Sequence, residues 1–177
     1  MPRAPKTHDS IANPTIPFQQ LHMDFGFKVQ KSKNKNRYDS LKGINDETYY
    51  LVIKDTFTGC KYGEAFINKI PPTQSLRFFF EQHAPDKTST NNMRICVDKG
   101  GELGMSHEFR RVCHLFGYVI DDIAPDSSSE NGAVEVANRD IGASLRSLLK
   151  GAGMPFKYWP YDFRHVLIIE RYMTPSN

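Results

Sequence analysis

The stretch "LHMDFGFKV", residues 21 to 29, is the first segment of the chain with a clear hydrophobic period, and it is the starting point for predicting the fold. Its apolar residues occupy every second position, which is the period of a β-strand. They are Leu21, Met23, Phe25, Phe27 and Val29. Asp24 occupies an alternate position, so we expect its side chain to face away from the most apolar side of the strand.

The segments that follow predict two more strands and an antiparallel meander. Residues 28–47 break the periodicity and predict an enlarged loop. "TYYLVIKD" (48–55) and "CKYGEAFI" (60–67) are strand-like and are separated by a turn at Thr58 and Gly59. Asp55 at the end of the second strand is expected to be a structural turn residue.

The rest of the chain alternates helices with short strands. We expect helices at 73–83, from the Ser106 cap to Gly117, at 131–150 and within 156–172, and strands at 93–98 and 118–123. This order predicts an α/β fold, bordering on α+β, with a mixed sheet of five strands. We divide the chain into an arm or linker at 1–20, which holds four prolines, a core at 21–171 and a tail at 172–177.

Composition limits the class of protein. The 177 residues are 39% hydrophobic, which is enough for one domain with a sizeable core. The net charge of +3 permits a polyanionic partner without requiring one. Three scattered cysteines without a C-x-x-C pair predict a reducing compartment and no disulfide framework. No signal sequence or membrane-spanning run is visible, so we expect an intracellular protein.

Three carboxylates from separate segments are candidates for metal binding. Asp24 lies within the first strand, Asp98 at the end of the fourth, and Glu135 near the start of the third helix. Singly, each has an ordinary explanation as a solvated residue, a turn residue or a partner of the helix dipole. Together they could hold Mg²⁺, which takes oxygen ligands and leaves positions for a substrate phosphate.

The segments around these carboxylates resemble a known family. "HMDFG", "VDKGGEL" and "NGAVEVANR", followed by "LLKGAGMPFKYW", are similar to the integrase catalytic core of copia-type LTR retrotransposons, a relative of the retroviral integrases. The resemblance extends over residues 21–171 and implies an RNase H-like fold. It also implies that Asp24, Asp98 and Glu135 are the catalytic and metal-binding residues.

The resemblance implies DNA integration by a metal-dependent polynucleotidyl transferase with endonuclease chemistry. Such an enzyme processes the 3′ ends of retrotransposon DNA and joins them to target DNA, with Mg²⁺ or Mn²⁺ in a two-metal site. It implies DNA as the partner, a homo-oligomer, a polyprotein origin, and the nucleus or a cytoplasmic particle as the location.

Two departures from the family pattern keep other functions open. Lys99 stands where the family usually has Asn, and Val136 where it usually has Arg. They favour the alternative that this copy is a decayed or repurposed nucleic-acid-binding or assembly module with the same fold. A plain metal-dependent nuclease is a further alternative.

Candidate DNA contacts lie near the carboxylates and along the third helix. Arg139, Arg146 and Lys150 share a helical face with Glu135, which suggests a track for phosphates, although such stripes are often only solvated. Lys99 and Asn131 are further candidates. The basic stretch 28–37 is more simply explained as a solvated loop.

Two other polar groups are expected to do no chemistry. Glu130 completes an S-x-x-E capping box with Ser127, and the resemblance gives it no catalytic role. The spacing of His107, Cys113 and His114 matches no usual zinc pattern, so we expect no zinc in this chain.

Overall fold

A mixed sheet of five strands lies at the centre of the computed structural model, which describes residues 13–27, 29–31, 38–40, 42–85, 92–98, 101–123 and 128–173. The strands are β1 (Gln20–Phe27), β2 (Val29–Lys31), β3 (Tyr38–Ser40), β4 (Tyr49–Asp55), β5 (Lys61–Phe66), β6 (Arg94–Asp98) and β7 (Val119–Ile123). The helices are α1 (Thr73–His83), α2 (Glu102–Met105), α3 (His107–Leu115), α4 (Ser128–Gly151) and α5 (Trp159–Met173), with a 3₁₀ turn at Phe156–Tyr158.

The strand order in this sheet is β5-β4-β1-β6-β7. β4 pairs with β1 and β5 in antiparallel orientation, whereas β6 pairs with β1 and β7 in parallel orientation. The sheet therefore confirms the predicted α/β fold with five mixed strands and an antiparallel meander of three. This order brings β1, at the centre, next to β6, whose last residue is Asp98.

The enlarged loop predicted at 28–47 is partly wrong. β2 and β3 form an antiparallel ribbon in which Val29 pairs with Ser40 and Lys31 with Tyr38. The ribbon is separate from the main sheet. Alternation reveals a strand only when one of its faces is buried, and three-residue strands rich in polar residues carry no such pattern.

Helices cover both faces of the main sheet. Leu21, Met23 and Phe25 of β1 pack in one cluster with residues of α1 and α3. The opposite face, which carries Tyr50 and Val52 of β4, packs against residues of α4 and α5. The central strands β1 and β4 therefore have two covered faces, and the polar face expected for β1 is covered by helices. None of the described helices has the length and apolar character that a membrane span needs.

Helix boundaries follow local signals closely. α1 spans the predicted residues, and the Ser106 hydroxyl accepts a hydrogen bond from the Phe109 amide at 3.2 Å, which confirms the predicted cap of α3. α4 begins at Ser128, three residues before the predicted start, so Glu130 lies in its first turn. The proposed capping partner, Ser127, lies outside the described residues. α2 was not predicted because four residues are too few for a hydrophobic period.

Asp55 has the structural role predicted for it. Its side chain is fully buried at the end of β4. One carboxylate oxygen accepts from the amide of Phe18 at 3.1 Å, and the other accepts from the Thr58 amide at 3.1 Å and from the Thr58 hydroxyl at 2.6 Å. Asp55 thus ties the β4–β5 turn to the segment that enters β1.

Replacement of Gly26 tests how closely β1 packs against β4. It pairs with Tyr50, and a Cβ atom at Gly26 would overlap the Tyr50 ring. That ring is 3% exposed and contacts Phe163, with ring centroids 4.9 Å apart, so it has little room to move. Gly26→Ala should lower the free energy of unfolding by about 1–3 kcal/mol in urea titrations.

Gly151→Ala is the control for Gly26→Ala. No atom lies within 4 Å of a Cβ built on Gly151, at the end of α4. Because alanine is the better helix former, this variant should equal or exceed the parent in stability. Equal stabilities for Gly26→Ala and the parent would contradict the packing described for β1.

Candidate functional site

The parallel register of β1 and β6 places Asp24 beside Asp98. His22 pairs with Cys96, and the two aspartates each follow two residues later on their strands. Because side chains alternate with a period of two, both aspartates lie on the same sheet face as those paired residues. Asp24 and Asp98 also line one small cleft, together with Gly101 and Glu102. Two of the three predicted catalytic residues are therefore neighbours.

The Asp24 carboxyl is held in an environment that resists its ionisation. Burial is the main cause and raises the pKa of Asp24 from 3.8 to about 6, and the negative charge of Asp98 adds to the increase. Three groups act in the opposite direction: the Phe25 amide, the charge of Lys69 and the Asn138 side chain. Burial, together with the charge of Asp24, raises the pKa of Tyr50 to about 12.

Asn138 is a site residue that the sequence did not reveal. Its Nδ2 donates to Asp24 Oδ2 at 3.1 Å, which links the middle of α4 to the central strand. Its Oδ1 is buried and has no hydrogen-bond partner among the described residues. The only available signal was its position three residues after Glu135, since residues at i and i+3 are neighbours on a helix surface.

Glu135 does not join the two aspartates. Its side chain is exposed on α4, one turn before Asn138. In the part of the chain that the structure describes, no group of three His, Cys, Asp or Glu side chains is arranged to hold a metal ion. In the described residues α4 presents the Asn138 amide to Asp24, whereas the Glu135 side chain is exposed, so the role of Glu135 as a third ligand stays a prediction.

The predicted DNA contacts on α4 form an exposed face. Arg139, Arg146 and Lys150 are exposed, whereas Ile141 and Leu145 between them are fully buried. Arg139 Nε lies 3.7 Å from the carboxylate of the adjacent Asp140. The remaining two candidates stay predictions. Lys99 lies outside the described residues, and for Asn131 only the backbone is described, within α4.

The Asp24–Asp98 pair has the chemistry of a site for a hard divalent cation. Two carboxylates on neighbouring strands supply the oxygen ligands that Mg²⁺ and Mn²⁺ prefer, and Mg²⁺ sites commonly use one or two carboxylates. Burial, and to a lesser extent the charge of Asp98, raises the pKa of Asp24, and a bound cation would offset both effects. Asp24 and Asp98 are thus the residues that could hold a metal.

Part of the chain is similar in sequence to a curated protein. The chain is 32% identical over 88 residues to the Retrovirus-related Pol polyprotein from transposon TNT 1-94 of Nicotiana tabacum. The matched residues are 49% of this chain and 7% of the polyprotein, so the chain corresponds to a small part of that protein. No family model matches the chain.

A solved structure shares the fold. A chain of the simian T-cell lymphotropic virus intasome, determined in complex with PP2A regulatory subunit B56 gamma, superposes with a TM-score of 0.58 at 15% identity. The superposition covers 86% of this chain and 49% of the intasome chain. The sequence comparison agrees with the predicted resemblance to a retrotransposon protein, and the superposition confirms the predicted RNase H-like fold.

The raised pKa of Asp24 predicts how stability depends on pH. The folded chain binds the Asp24 proton more tightly than the unfolded chain does. Ionisation of Asp24 therefore leaves the free energy of unfolding unchanged below pH 3.8 and lowers it progressively up to about pH 6, above which the loss is complete. In metal-free buffer, Asp24→Asn should raise the free energy of unfolding at pH 7.5 by up to about 3 kcal/mol. The gain should vanish near pH 4.

Asp46→Asn is the control for this pH dependence. Asp46 is an exposed residue that pairs with Lys42 at 3.1 Å, so its replacement should change stability little at either pH. Urea unfolding at pH 4 and pH 7.5 measures all three proteins. A gain for Asp24→Asn that is the same at both pH values would contradict the burial of this carboxyl.

Proposed function

We propose that this chain is the catalytic core of a retrotransposon integrase, a polynucleotidyl transferase that processes the 3′ ends of element DNA and joins them to target DNA. The observation that carries the proposal is the juxtaposition of Asp24 and Asp98 on neighbouring parallel strands. The relationship to a retrotransposon Pol polyprotein supports the substrate class. The fold shared with a viral intasome chain supports the type of assembly.

Both proposed steps displace an oxygen at phosphorus. In the first, water attacks a phosphodiester near the 3′ end, a new P–O bond forms, and the P–O bond to the 3′ oxygen breaks to leave a 3′ hydroxyl. In the second, this hydroxyl attacks a phosphodiester of target DNA, a new P–O bond forms, and the P–O bond to the 3′ oxygen of the target strand breaks to leave a 3′ hydroxyl there. Because neither step needs an oxidant or an external energy source, positioning and charge stabilisation are the main contributions of the protein.

The residues of the site would share this work. Asp24 and Asp98 would hold Mg²⁺ or Mn²⁺, which when bound polarises a phosphodiester and stabilises the attacking and leaving oxygens. Asn138 fixes the orientation of the Asp24 carboxyl through its hydrogen bond. By its resemblance to the family glutamate, Glu135 is the proposed third ligand, and it would have to turn towards the pair from its exposed position.

The proposed partners follow from the same assignment. DNA would lie along the exposed face of α4 that carries Arg139, Arg146 and Lys150. We also propose a homo-oligomer and a location in the nucleus or in a cytoplasmic particle, as the resemblance implies. A decayed copy that only binds nucleic acid is the second candidate, because the described residues assemble two acidic ligands and not three.

A labelled duplex with Mn²⁺ tests the proposed function. Joining supports an integrase, cutting alone a nuclease, and binding alone the decayed copy. Asp98→Asn should reduce product by orders of magnitude, since it removes a negative ligand at nearly constant shape. Glu135→Gln should do the same if Glu135 completes the site.

Glu130→Gln is the matched control, because it removes the same charge five residues earlier in α4. Gln serves at the last position of a capping box as Glu does, so this variant should keep the activity of the parent. An inactive Glu130 variant with an active Glu135 variant would show that the family glutamate was assigned to the wrong residue. All variants are first compared by thermal unfolding.

The α4 face predicts how DNA binding depends on salt. Replacing Arg139, Arg146 and Lys150 together with alanine should lower the slope of log K against log salt by about 2 to 3, or about 0.9 for each phosphate that is no longer neutralised. Binding should depend little on base sequence, because phosphate contacts carry no sequence information.

A second triple variant controls for the loss of net charge. Lys42, Arg111 and Arg164 are each exposed and paired with an acid outside α4. Alanine at these three positions removes the same three charges and should leave the slope near that of the parent. Equal slopes for the two triple variants would mean that the α4 face is only solvated.

A further inference from the structure

An open cleft lies next to the two aspartates, and the proposed mechanism does not use it. Its volume is about 550 Å³, and its lining includes Lys69, Ile70, Pro71, Glu102 and Met105. It shares Gly101 and Glu102 with the small cleft that holds Asp24 and Asp98. A strand of DNA reacting at the aspartates would therefore pass next to this cleft.

Lys69 is the cation of the cleft. It follows β5 in the segment that leads to α1, and its Nζ lies 5.7 Å from the centre of the Tyr49 ring. Its charge also acts on the Asp24 carboxyl. An ammonium group over an aromatic ring is held in place by the ring quadrupole. Lys69 is thus a positive charge that lines the cleft and also acts on the acidic pair.

Glu102 is positioned to exchange with a phosphate. Its Oε1 lies 3.2 Å from Lys69 Nζ, and the two side chains are 48% and 32% exposed. A solvated ion pair of this kind contributes little to stability, so breaking it costs little. A phosphate oxygen offers Lys69 the same charge-assisted hydrogen bond that the Glu102 carboxylate offers.

The walls of the cleft suit the rest of a nucleotide. Ile70 is 69% exposed and Met105 is 72% exposed, with Pro71 in the lining beside them. These exposed apolar side chains line the same cleft as Lys69, so a ligand in the cleft would cover them together. The polarisable thioether of methionine contacts aromatic rings favourably. A base could therefore rest against this wall while its phosphate meets Lys69.

We propose that this cleft binds the nucleotide next to the reacting phosphodiester, with its phosphate on Lys69 in place of Glu102 and its base against Ile70 and Met105. Glu102 is then a substitute anion that occupies Lys69 until DNA arrives. The inference rests on the proposed function, because it places the reacting phosphodiester at Asp24 and Asp98. Lys69 acts as a positioning residue for DNA.

Binding of DNA without divalent metal tests this cleft separately from catalysis. Fluorescence anisotropy follows a labelled duplex with a two-nucleotide 3′ overhang at several salt concentrations. Lys69→Gln should weaken binding roughly tenfold, the loss of one charged hydrogen bond, and lower the salt slope by about 0.9. Glu102→Gln should tighten binding, because it removes the competing anion. A folding defect could not produce these opposite changes.

Lys42→Gln and Asp46→Asn are matched controls, since they alter the net charge equally in an exposed Lys–Asp pair outside the cleft. A second probe has an overhang without bases. Met105→Ser should weaken binding of the intact overhang and leave binding of the abasic overhang unchanged. If Lys69→Gln and Glu102→Gln behave as these controls do while the parent still cuts or joins DNA, the cleft assignment is wrong and the proposed function stands. If the parent neither binds nor cuts DNA, both fail.

Discussion

The site depends on the parallel pairing of β1 with β6. This register carries Asp24 in the centre of the sheet to a position beside Asp98 at the end of the neighbouring strand. A shift of one residue would move one carboxyl to the opposite face, because the side-chain period is two. The hydrophobic cluster around Leu21, Met23 and Ile95 fixes the register, since a shifted strand would expose these fully buried or nearly fully buried side chains.

The same packing accounts for the electrostatic state of the site. α4 and α5 cover the sheet face that carries Asp24, so the carboxyl is partly shielded from water and its pKa rises to about 6. A buried acid is tolerated only where neighbouring groups offset part of the cost. Asn138 and Lys69 provide this compensation from α4 and from the segment after β5. The site therefore combines negative charge with restricted solvation, which favours a bound cation.

The proposed functional surfaces lie on different elements around this pair. The basic face of α4 is exposed because Ile141 and Leu145 on its other side pack against the sheet. The nucleotide cleft lies between the segment after β5 and the short α2. The cleft shares Gly101 and Glu102 with the cleft of the aspartates, and α4 contacts Asp24 through Asn138, so both surfaces lie on elements that border the site. Affinity and reaction geometry would then depend on separate residues.

Local sequence patterns predicted the five strands of the main sheet, most helix boundaries and the positions of the motifs. Alternation in β1, the Ser106 cap and the apolar stripe of α3 are local signals, and each was sufficient. Asp55 was assigned correctly for the same reason, because a turn forms from residues near in sequence. The β2–β3 ribbon and α2 were missed because such short elements have no hydrophobic period.

The environment of the site depends on long-range packing. A two-residue period shows that Asp24 lies opposite Met23, but it does not show whether water or helices cover that face. The contact from Asn138 joins residues 114 apart in sequence, so no local pattern could predict it. Glu135 and Asn138 lie one turn apart, and the docking angle of α4 alone selects which of them reaches Asp24. Long-range packing sets that angle, and no local sequence pattern predicts it.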